Sequence, residues 1–502
     1  MHFKKNSPEA AGISSRHILD FLDDAARNGL ELHSLMFLRH GKVFAEGWWA
    51  PYTPDSRHIM FSFTKSLTST AIGFLRQEGK LRLEERLVDI FPEKLPVNPS
   101  ENLQKCTVRD LLTMGCGHEE EISFMGLREK DWIASFLAQP FVYKPGSKFM
   151  YNTAGTNLLA AILKKKTGMN LLEFLEPRLF TPLGMQNVVC YSLPDGTAVG
   201  GAGSRLTTEN MALFTQFVAN RGVWNEKRLL EENWFDLATT KQIENRSADS
   251  LPNWGAGYGF QFWQCTPPNT FRGDGAFGQF GVVCKDQDAV LVLTSASTNF
   301  HCTLDLLWKH IQNNFCPEPL PEDPGAYLIL EHTLQNLSLA APLSQRNAES
   351  VQKYNKKTFV PATKISGSWP ELIGGAGISG KYALLGIAPQ NTAEQMRELT
   401  VSFTDFEMQL TANLGKRIEI LPVSLESRWN SFVFGEKHYG AVGGWTGPDR
   451  FEFDARCTDA ATGTHFSLIF SENGMTLASR PSIPAWGGLG DEKQEDILFQ
   501  AK

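Results

Sequence analysis

A serine and a lysine three residues apart, Ser62 and Lys65, are the side chains of this sequence best suited to chemistry. Apolar residues recur behind them at three- and four-residue spacing over 62–79, and Gly79 can close the segment, so a helix is predicted there. Residues three apart share a helix face, which lets the Lys65 amine reach the Ser62 hydroxyl. Lys65 can act as a base only if its pKa falls well below about 10.4, and burial together with the positive helix pole favours that shift.

The same spelling occurs a second time, at Ser350 and Lys353. That copy lies in a polar stretch with no apolar helix behind it. The Ser-x-x-Lys motif alone therefore also fits a helix start followed by a surface lysine. A catalytic interpretation of Ser62 and Lys65 needs support from elsewhere in the chain.

Tyr151 is a second candidate. It follows a Pro-Gly turn at 145–146 and precedes a helix predicted over 154–167. A tyrosine at that entrance can pass protons between a serine, a lysine and a leaving group. The alternative is a tyrosine whose ring closes a core while its hydroxyl reaches water.

A glycine-rich segment, Gly273-Asp274-Gly275-Ala276, is the third candidate and precedes a strand predicted over 279–284. Glycines before an edge strand allow close approach of another backbone or of a ligand. A free N–H there can complete an oxyanion hole with the N–H of Ser62. A glycine-rich hairpin turn is the alternative, and a dinucleotide fingerprint is excluded because a strand follows in place of a helix.

In this order the three motifs resemble those of the serine β-lactamase and penicillin-binding protein superfamily. The resemblance is strongest to class C β-lactamases, D-aminopeptidases and related esterases, and covers about residues 10–316. It implies Ser62 as the acylated nucleophile, Lys65 as its base and Tyr151 as the partner in a proton relay. It further implies the N–H of Ala276, which follows Gly275, as the second oxyanion donor.

Two departures from the family pattern affect the expected substrate. The family's Tyr-x-Asn reads Tyr151-Asn152-Thr153, so either Asn152 or Thr153 replaces the usual substrate-amide contact. The Lys/His-x-Gly triad reads Gly273-Asp274-Gly275, which lacks a cation for a substrate carboxylate and places a negative charge there. We therefore expect an ester or amide substrate without that carboxylate, and a substrate amine would suit Asp274.

His118 lies in the segment 115–121, where the resemblance places a loop near the cleft. A substrate contact is one interpretation. The other is a solvated acidic loop, because Glu119, Glu120 and Glu121 follow directly.

The remaining elements predict an α+β fold, with an antiparallel sheet flanked by helices and interrupted by a large helical insertion. Hairpin strands are expected over 34–49, further strands over 258–263, 279–284 and 289–294, and a closing helix over 301–315. From 378 onward short strands, including 380–385, predict a C-terminal all-β, barrel-like domain. The expected domains are 1–318 for catalysis, 319–365 as a linker with one helix over 326–338, and 366–502 as the accessory β-domain.

Bulk composition narrows the partners. A net charge of −7 argues against a nucleic acid partner. Neither an apolar run of about 18 residues nor a signal-peptide core is present in the sequence, so a cytoplasmic protein without a membrane partner is expected. The eight cysteines form no Cys-x-x-Cys pair and the eleven histidines form no ligand cluster, so neither metal nor cofactor is expected.

These observations together predict a serine hydrolase acting on a small ester, amide or peptide-like substrate. The alternatives left open are a D-amino-acid peptidase, a weak β-lactamase, and a sensor that is acylated without turnover.

Overall fold

The computed structural model describes residues 3–121, 131–247, 250–343, 345–363, 365, 368–375, 395–482 and 496–502. Its contacts divide the chain into two units. The first unit is Met1–Trp48 with Arg57–Asn336, and the second is Trp49–Ser56 with Leu337–Lys502. The helix expected in the linker runs over Pro324–Gln335 in the first unit, whereas the strand Lys357–Pro361 from the same region belongs to the second.

A seven-stranded central sheet forms the middle of the first unit. In spatial order its strands are Lys4–Lys5, Lys42–Trp48, Leu32–Arg39, Ala289–Ser295, Gln279–Cys284, Thr270–Gly275 and Trp263–Gln264. All neighbours are antiparallel except the short first strand, which pairs in parallel with Lys42–Trp48. The predicted hairpin is present, and both His40 and Gly41 have the positive φ that a tight turn between twisted strands requires.

Helices cover this sheet, and most of them lie in the insertion between the strands Lys42–Trp48 and Trp263–Gln264. The α-helices of the first unit are Ser15–Arg27, Thr64–Gln77, Leu87–Ile90, Glu101–Lys105, Val108–Leu112, Trp132–Leu137, Thr153–Thr167, Leu171–Leu175, Thr181–Leu183, Thr208–Ala219, Glu232–Ala238, Phe300–His310 and Pro324–Gln335. Single 3₁₀ turns occur at Phe61–Phe63, Pro92–Lys94, Pro252–Trp254, Lys285–Gln287 and Gln312–Asn314, and a π turn at Glu176–Phe180. Within the described part of the chain, no helix is long and apolar enough to cross a membrane.

Two small ribbons complete the first unit. One joins His58–Ile59, Ser204–Leu206 and Val189–Cys190 in that spatial order, and the other joins Val223–Trp224 to Lys227–Arg228. The first ribbon matters for the site because His58–Ile59 leads directly into the turn that carries Ser62.

The strand predicted over 258–263 is wrong for most of its length, since only Trp263–Gln264 is a strand. Gln261 has a φ of 65°, which turns the chain. Its side-chain amide donates to the carbonyls of Leu111 and Leu112, at 3.1 and 2.8 Å. These buried contacts stabilise a bend where the aromatic pattern alone indicates an extended segment.

The second unit is built on a sheet that closes into a nine-stranded barrel. Its strands in ring order are Ile418–Ser424, Glu407–Asn413, Glu398–Phe403, Lys357–Pro361, Ile497–Ala501, Gly474–Pro481, Gly463–Phe470, Arg450–Cys457 and Lys437–Gly447, and the last pairs with the first. Phe432–Phe434 adds to Lys437–Gly447 as a tenth strand. The helices Ala348–Tyr354 and Trp369–Gly375 accompany the barrel. The α+β prediction with a C-terminal barrel is confirmed.

The barrel strand Lys437–Gly447 is absent from the sequence prediction because its glycines weaken the β pattern. The sheet nevertheless needs them. A Cβ on Gly443 would lie 2.3 Å from the Glu452 carbonyl oxygen and 2.4 Å from the Phe453 side chain. The strand predicted over 380–385 lies outside the described residues.

Candidate active site

Ser62 lies in a sharp turn between a strand and a helix. The strand His58–Ile59 ends three residues before it, and the 3₁₀ turn Phe61–Phe63 runs directly into the helix Thr64–Gln77. Phe61 has a φ of 44°, a strained value for a bulky residue, and its ring packs edge-on against Phe277 at 5.4 Å. The turn leaves Ser62 half-buried and places its N–H in the first helical turn, where backbone N–H groups lack intrahelical acceptors.

Lys65 is the best-defined side chain of the site. It is 1% exposed, and its Nζ donates to Ser62 Oγ at 3.0 Å, Thr153 Oγ1 at 3.1 Å and the Gly201 carbonyl at 2.7 Å. Burial lowers the pKa of Lys65 to about 7, against the opposing charges of Glu121 and Asp274. A substantial fraction of Lys65 is therefore neutral near pH 7, which a base for Ser62 requires.

Tyr151 and Thr153 both lie close to the Lys65 amine. Lys65 Nζ is 4.8 Å from the centre of the Tyr151 ring, which stacks on Trp263 with centroids 5.6 Å apart. Thr153 is the first residue of the helix Thr153–Thr167, so its hydroxyl is fixed at the lysine. Sequence reasoning left Thr153 as one of two options for the third position of the Tyr-x-Asn pattern, and the structure places it against Lys65.

Asn152 faces away from the lysine. Its Oδ1 accepts from the Gly155 N–H at 2.9 Å and so caps the helix, and its Nδ2 lies 3.0 Å from His118 Nδ1. His118 is 3% exposed and packs 4.2 Å from the Phe141 ring. The solvated-loop interpretation is therefore wrong for His118, because an apolar pocket and the Asn152 amide hold the imidazole. A role of His118 as a substrate contact remains a prediction.

The glycine-rich segment approaches the nucleophile closely. A Cβ on Gly275 would lie 2.2 Å from the Met60 carbonyl oxygen, and one on Gly273 would lie 2.8 Å from the Phe63 ring. Only glycine permits this contact between the strand Thr270–Gly275 and the turn around Ser62. Ala276 follows Gly275 directly and is half-exposed.

Asp274 does not present the unpaired charge that the sequence indicates. Its Oδ2 accepts from Arg272 Nε at 2.8 Å, and the two side chains are 8% and 0% exposed. The Arg272 guanidinium lies 4.5 Å from the Trp254 ring centre. Arg272, two residues before Asp274, thus provides the paired charge that a buried carboxylate needs. Burial raises the pKa of Asp274, against the lowering effects of Arg272 and then Lys65.

Comparison with known proteins places this chain in a family. Residues 16–310, more than half of the chain, match the family model described as beta-lactamase. The chain belongs to the beta-lactamase family. The predicted β-lactamase-like hydrolase class is thereby confirmed at the level of the family.

One protein similar in sequence to this member of the beta-lactamase family is the 6-aminohexanoate-dimer hydrolase of Paenarthrobacter ureafaciens. It is 24% identical over 220 residues, which cover 40% of this chain and 56% of that protein. The chain therefore matches about half the length of this relative.

Two solved structures show the same fold. One, from Bacillus anthracis and provisionally named a 6-aminohexanoate-dimer hydrolase, has a TM-score of 0.51 at 22% identity and covers 64% of this chain and 89% of that chain. The other, from Bacteroides dorei DSM 17855 and provisionally named a beta-lactamase, has a TM-score of 0.50 at 13% identity and covers 59% and 99%. Both likenesses concern the beta-lactamase fold.

The residues predicted from the sequence fall into two groups within the beta-lactamase fold. Ser62, Lys65 and Tyr151 lie together, beside Gly275 and Ala276. The other group comprises side chains already occupied by contacts within the protein, namely Asn152, His118 and Asp274. Sequence reasoning missed Arg272, although its position on the same strand face as Asp274, two residues away, is a usable signal.

Proposed function

We propose that this chain is a serine hydrolase that cleaves an ester or amide through an acyl-enzyme on Ser62. The observation that carries the proposal is the 3.0 Å contact between Ser62 Oγ and Lys65 Nζ, made by a lysine whose pKa burial lowers to about 7. Family membership and the hydrolase name of a relative support hydrolysis as the reaction class.

The acylation step follows from the contacts around Lys65. Neutral Lys65 accepts the Ser62 proton while Oγ bonds to the substrate carbonyl carbon and the carbonyl electron pair moves onto oxygen. The N–H groups of Ser62 and Ala276 are proposed to donate to that oxygen, where charge develops. The tetrahedral intermediate then expels the leaving group, which takes the proton from Lys65 directly or through the Tyr151 hydroxyl.

Deacylation reuses the same groups. A water molecule attacks the acyl carbon, Lys65 accepts its proton, and the Ser62 oxygen leaves and recovers a proton from Lys65. The hydrogen bonds to Thr153 and Gly201 keep the amine at the reaction centre in both half-reactions. Each step balances without a metal or cofactor.

The charges beside the site favour one kind of substrate. Asp274 acts electrostatically on Lys65, and the Arg272 charge is buried and committed to Asp274. A substrate carboxylate next to the scissile bond would therefore meet an ion pair with almost no net charge and would find no available cation. We propose an ester or amide that is uncharged at that position.

Product release and intact mass test the proposal with wild-type protein and the Ser62→Ala variant. The substrates are p-nitrophenyl esters, D-alanine p-nitroanilide and a penicillin. Steady ester release with a Ser62-dependent acyl adduct is the expected result. A stoichiometric adduct without turnover would favour a sensor, preferential cleavage of the anilide or the penicillin would favour the peptidase or β-lactamase alternative, and activity retained by Ser62→Ala would overturn the assignment.

A further inference from the structure

Two buried histidines that the proposed mechanism does not use lie directly behind the nucleophile turn. His33, on the strand Leu32–Arg39, has its Nδ1 2.8 Å from Nε2 of His58. The side chain of His33 is fully buried and His58 is 2% exposed. Water therefore does not satisfy these ring nitrogens, and each nitrogen must find its partner within the protein.

Glu31, His33 and His58 form a series of hydrogen-bonded side chains. The hydrogen-bond partners at the two ends of this series fix the number of protons that the three side chains hold. His58 Nδ1 lies 2.9 Å from the Ile59 carbonyl, which can only accept, so Nδ1 carries a proton. If His58 is neutral, its Nε2 is bare and His33 Nδ1 must donate to it. His33 Nε2 then faces Glu31 Oε1 at 3.0 Å, and a neutral imidazole nitrogen and a carboxylate are both acceptors.

One additional proton resolves this conflict. It makes His33 an imidazolium paired with Glu31, or it sits on the Glu31 carboxyl. Placing the charge on His58 instead gives the same total. In every arrangement the chain Glu31–His33–His58 holds one proton more than two neutral imidazoles and a carboxylate.

The charges that face the two rings favour keeping that proton near Glu31. Burial lowers the pKa of His58 well below its usual value, and the charges of His33 and of Arg205, on the paired strand Ser204–Leu206, add to that effect. His58 is thus the neutral member of the chain. Glu31, whose side chain is 24% exposed, is the acidic group at the outer end.

His58, at the inner end of the series Glu31–His33–His58, contacts the segment that leads to Ser62. Ile59 accepts from His58, and the next residue, Met60, donates its N–H to the Ser204 carbonyl at 2.9 Å. Phe61, with its strained backbone, follows and precedes Ser62. The position of the nucleophile therefore depends on how firmly Ile59 is held.

We propose that Glu31, His33 and His58 form a one-proton chain of positioning residues that fixes the segment before Ser62, and that release of this proton at alkaline pH weakens the fold and slows acylation of Ser62. In the unfolded chain, free histidine releases its proton above about pH 6.5 and free glutamate above about pH 4.3. The folded state then binds more protons than the unfolded state. Because the folded state binds more protons, the free energy of unfolding falls as pH rises, until the folded protein also releases the proton.

Replacing Glu31 with glutamine supplies a sharp test. The amide N–H of a glutamine can donate to a neutral His33 Nε2, so the Glu31→Gln variant keeps the contact without the additional proton. Glu31→Ala removes the partner altogether at a partly exposed position. Glu78→Gln is the matched control, because Glu78 has a similar side-chain exposure, 27%, but pairs with Arg178 and Lys80.

The first readout is denaturant unfolding between pH 6 and pH 9, which does not rest on the proposed hydrolase activity. For wild type and Glu78→Gln, the unfolding equilibrium constant is expected to rise by up to about tenfold per pH unit more than for Glu31→Gln or Glu31→Ala. Should Glu31→Gln fail to fold, Glu31→Ala gives the same comparison. Curves for wild type and both Glu31 variants that run parallel over this range would overturn the proposal.

The second readout, the rate at which a fluorophosphonate probe labels Ser62, does rest on the proposed function. Labelling of wild type is expected to decline above pH 8 relative to Glu31→Gln, and equal pH profiles would overturn the positioning role. Absence of labelling in every variant would count against the proposed function, and the unfolding curves would still decide the proton chain.

Discussion

The sequence Ser-x-x-Lys occurs twice in this chain, and the two copies differ in the surroundings of the lysine. Both lie at the start of a helix, Ser62 before Thr64–Gln77 and Ser350 within Ala348–Tyr354. Lys65 is buried and donates to Ser62, whereas the Lys353 side chain is 54% exposed and pairs with Asp449 at 3.0 Å. Helical spacing brings a serine and a lysine together, but the surroundings decide whether they can react.

The two lysines have opposite pKa shifts for identifiable reasons. Burial lowers the pKa of Lys65 to about 7. Hydrogen bonding with Tyr354 and then Asp449 raises the pKa of Lys353 above its usual value. Ser350 donates its hydroxyl hydrogen to the Pro448 carbonyl, so its oxygen is directed away from the lysine. The comparison shows that desolvation, more than spacing, produces a base from a lysine.

The largest expected effect separates the two lysines. Lys65→Ala should lower the acylation rate constant by about 10³-fold, because removal of a general base typically costs 10²–10⁴-fold. Lys353→Ala should leave the rate within about twofold, since an exposed ion pair contributes little. Stopped-flow acylation by a p-nitrophenyl ester measures both. Equal losses of acylation rate in the two variants would show that Lys65 has no special role as the base.

The pH dependence of acylation is expected to show a somewhat smaller effect. Only neutral Lys65 can accept the Ser62 proton, so the rate should fall by about tenfold per pH unit below pH 7 and level off between about pH 7 and pH 8, above which loss of the proton shared by Glu31, His33 and His58 slows acylation. Second-order acylation rates between pH 5 and pH 9 provide the measurement. A rate that still rises by about tenfold per pH unit up to pH 9 would place the pKa of Lys65 near its unperturbed value of about 10.4 and show that burial does not act on Lys65 as described.

Asp274 supplies a test of substrate charge. Two esters of the same acid, one with glycolamide and one with glycolate as the leaving alcohol, differ only in a carboxylate beside the scissile bond. Wild type should prefer the glycolamide ester, and Asp274→Asn should reduce that preference by about tenfold, corresponding to about 1.4 kcal/mol. The substitution leaves the Arg272 charge without its paired carboxylate, so this charge becomes available to the carboxylate of the glycolate ester.

The ratio of kcat/KM values for the two esters is the quantity to compare, because it cancels a general loss of activity. Asp288→Asn serves as the control, since this exposed aspartate pairs with His40 away from the strand that carries Asp274. An unchanged ratio in Asp274→Asn would show that Asp274 does not select the substrate.

The smallest expected effect concerns Thr153. Thr153→Val removes the hydroxyl that accepts from Lys65 and should slow acylation by about fivefold, in line with the loss of one hydrogen bond of about 1 kcal/mol. Thr153→Ser keeps the hydroxyl and should stay near wild type. An acylation rate for Thr153→Val equal to that of Thr153→Ser would show that the Thr153 hydroxyl does not contribute to acylation.

The sequence was sufficient for the parts of the molecule that depend on local pattern. The helix after Ser62, the hairpin around Gly41 and the strands 279–284 and 289–294 follow from periodicity and turn residues, and the structure contains them. The proximity of Ser62 and Lys65 is likewise a local consequence of helical spacing.

Contacts between distant segments could not be predicted in this way. The burial of Lys65 depends in part on Gly201, 136 residues later, and the chain behind Ser62 joins His33 to His58 across 25 residues. Arg272 neutralises Asp274 only because both side chains turn into the same buried aromatic surroundings. Single-sequence patterns carry no information about such pairings, so the sequence alone indicates an unpaired charge at Asp274, whereas the structure pairs it with Arg272.

The most direct test of the central claim is intact-mass analysis of wild type, Ser62→Ala and Ser350→Ala during turnover of a p-nitrophenyl ester. The acyl adduct and steady product release are expected in wild type and Ser350→Ala, and neither is expected in Ser62→Ala. An adduct that persists in Ser62→Ala, or that disappears in a folded Ser350→Ala protein, would contradict that claim.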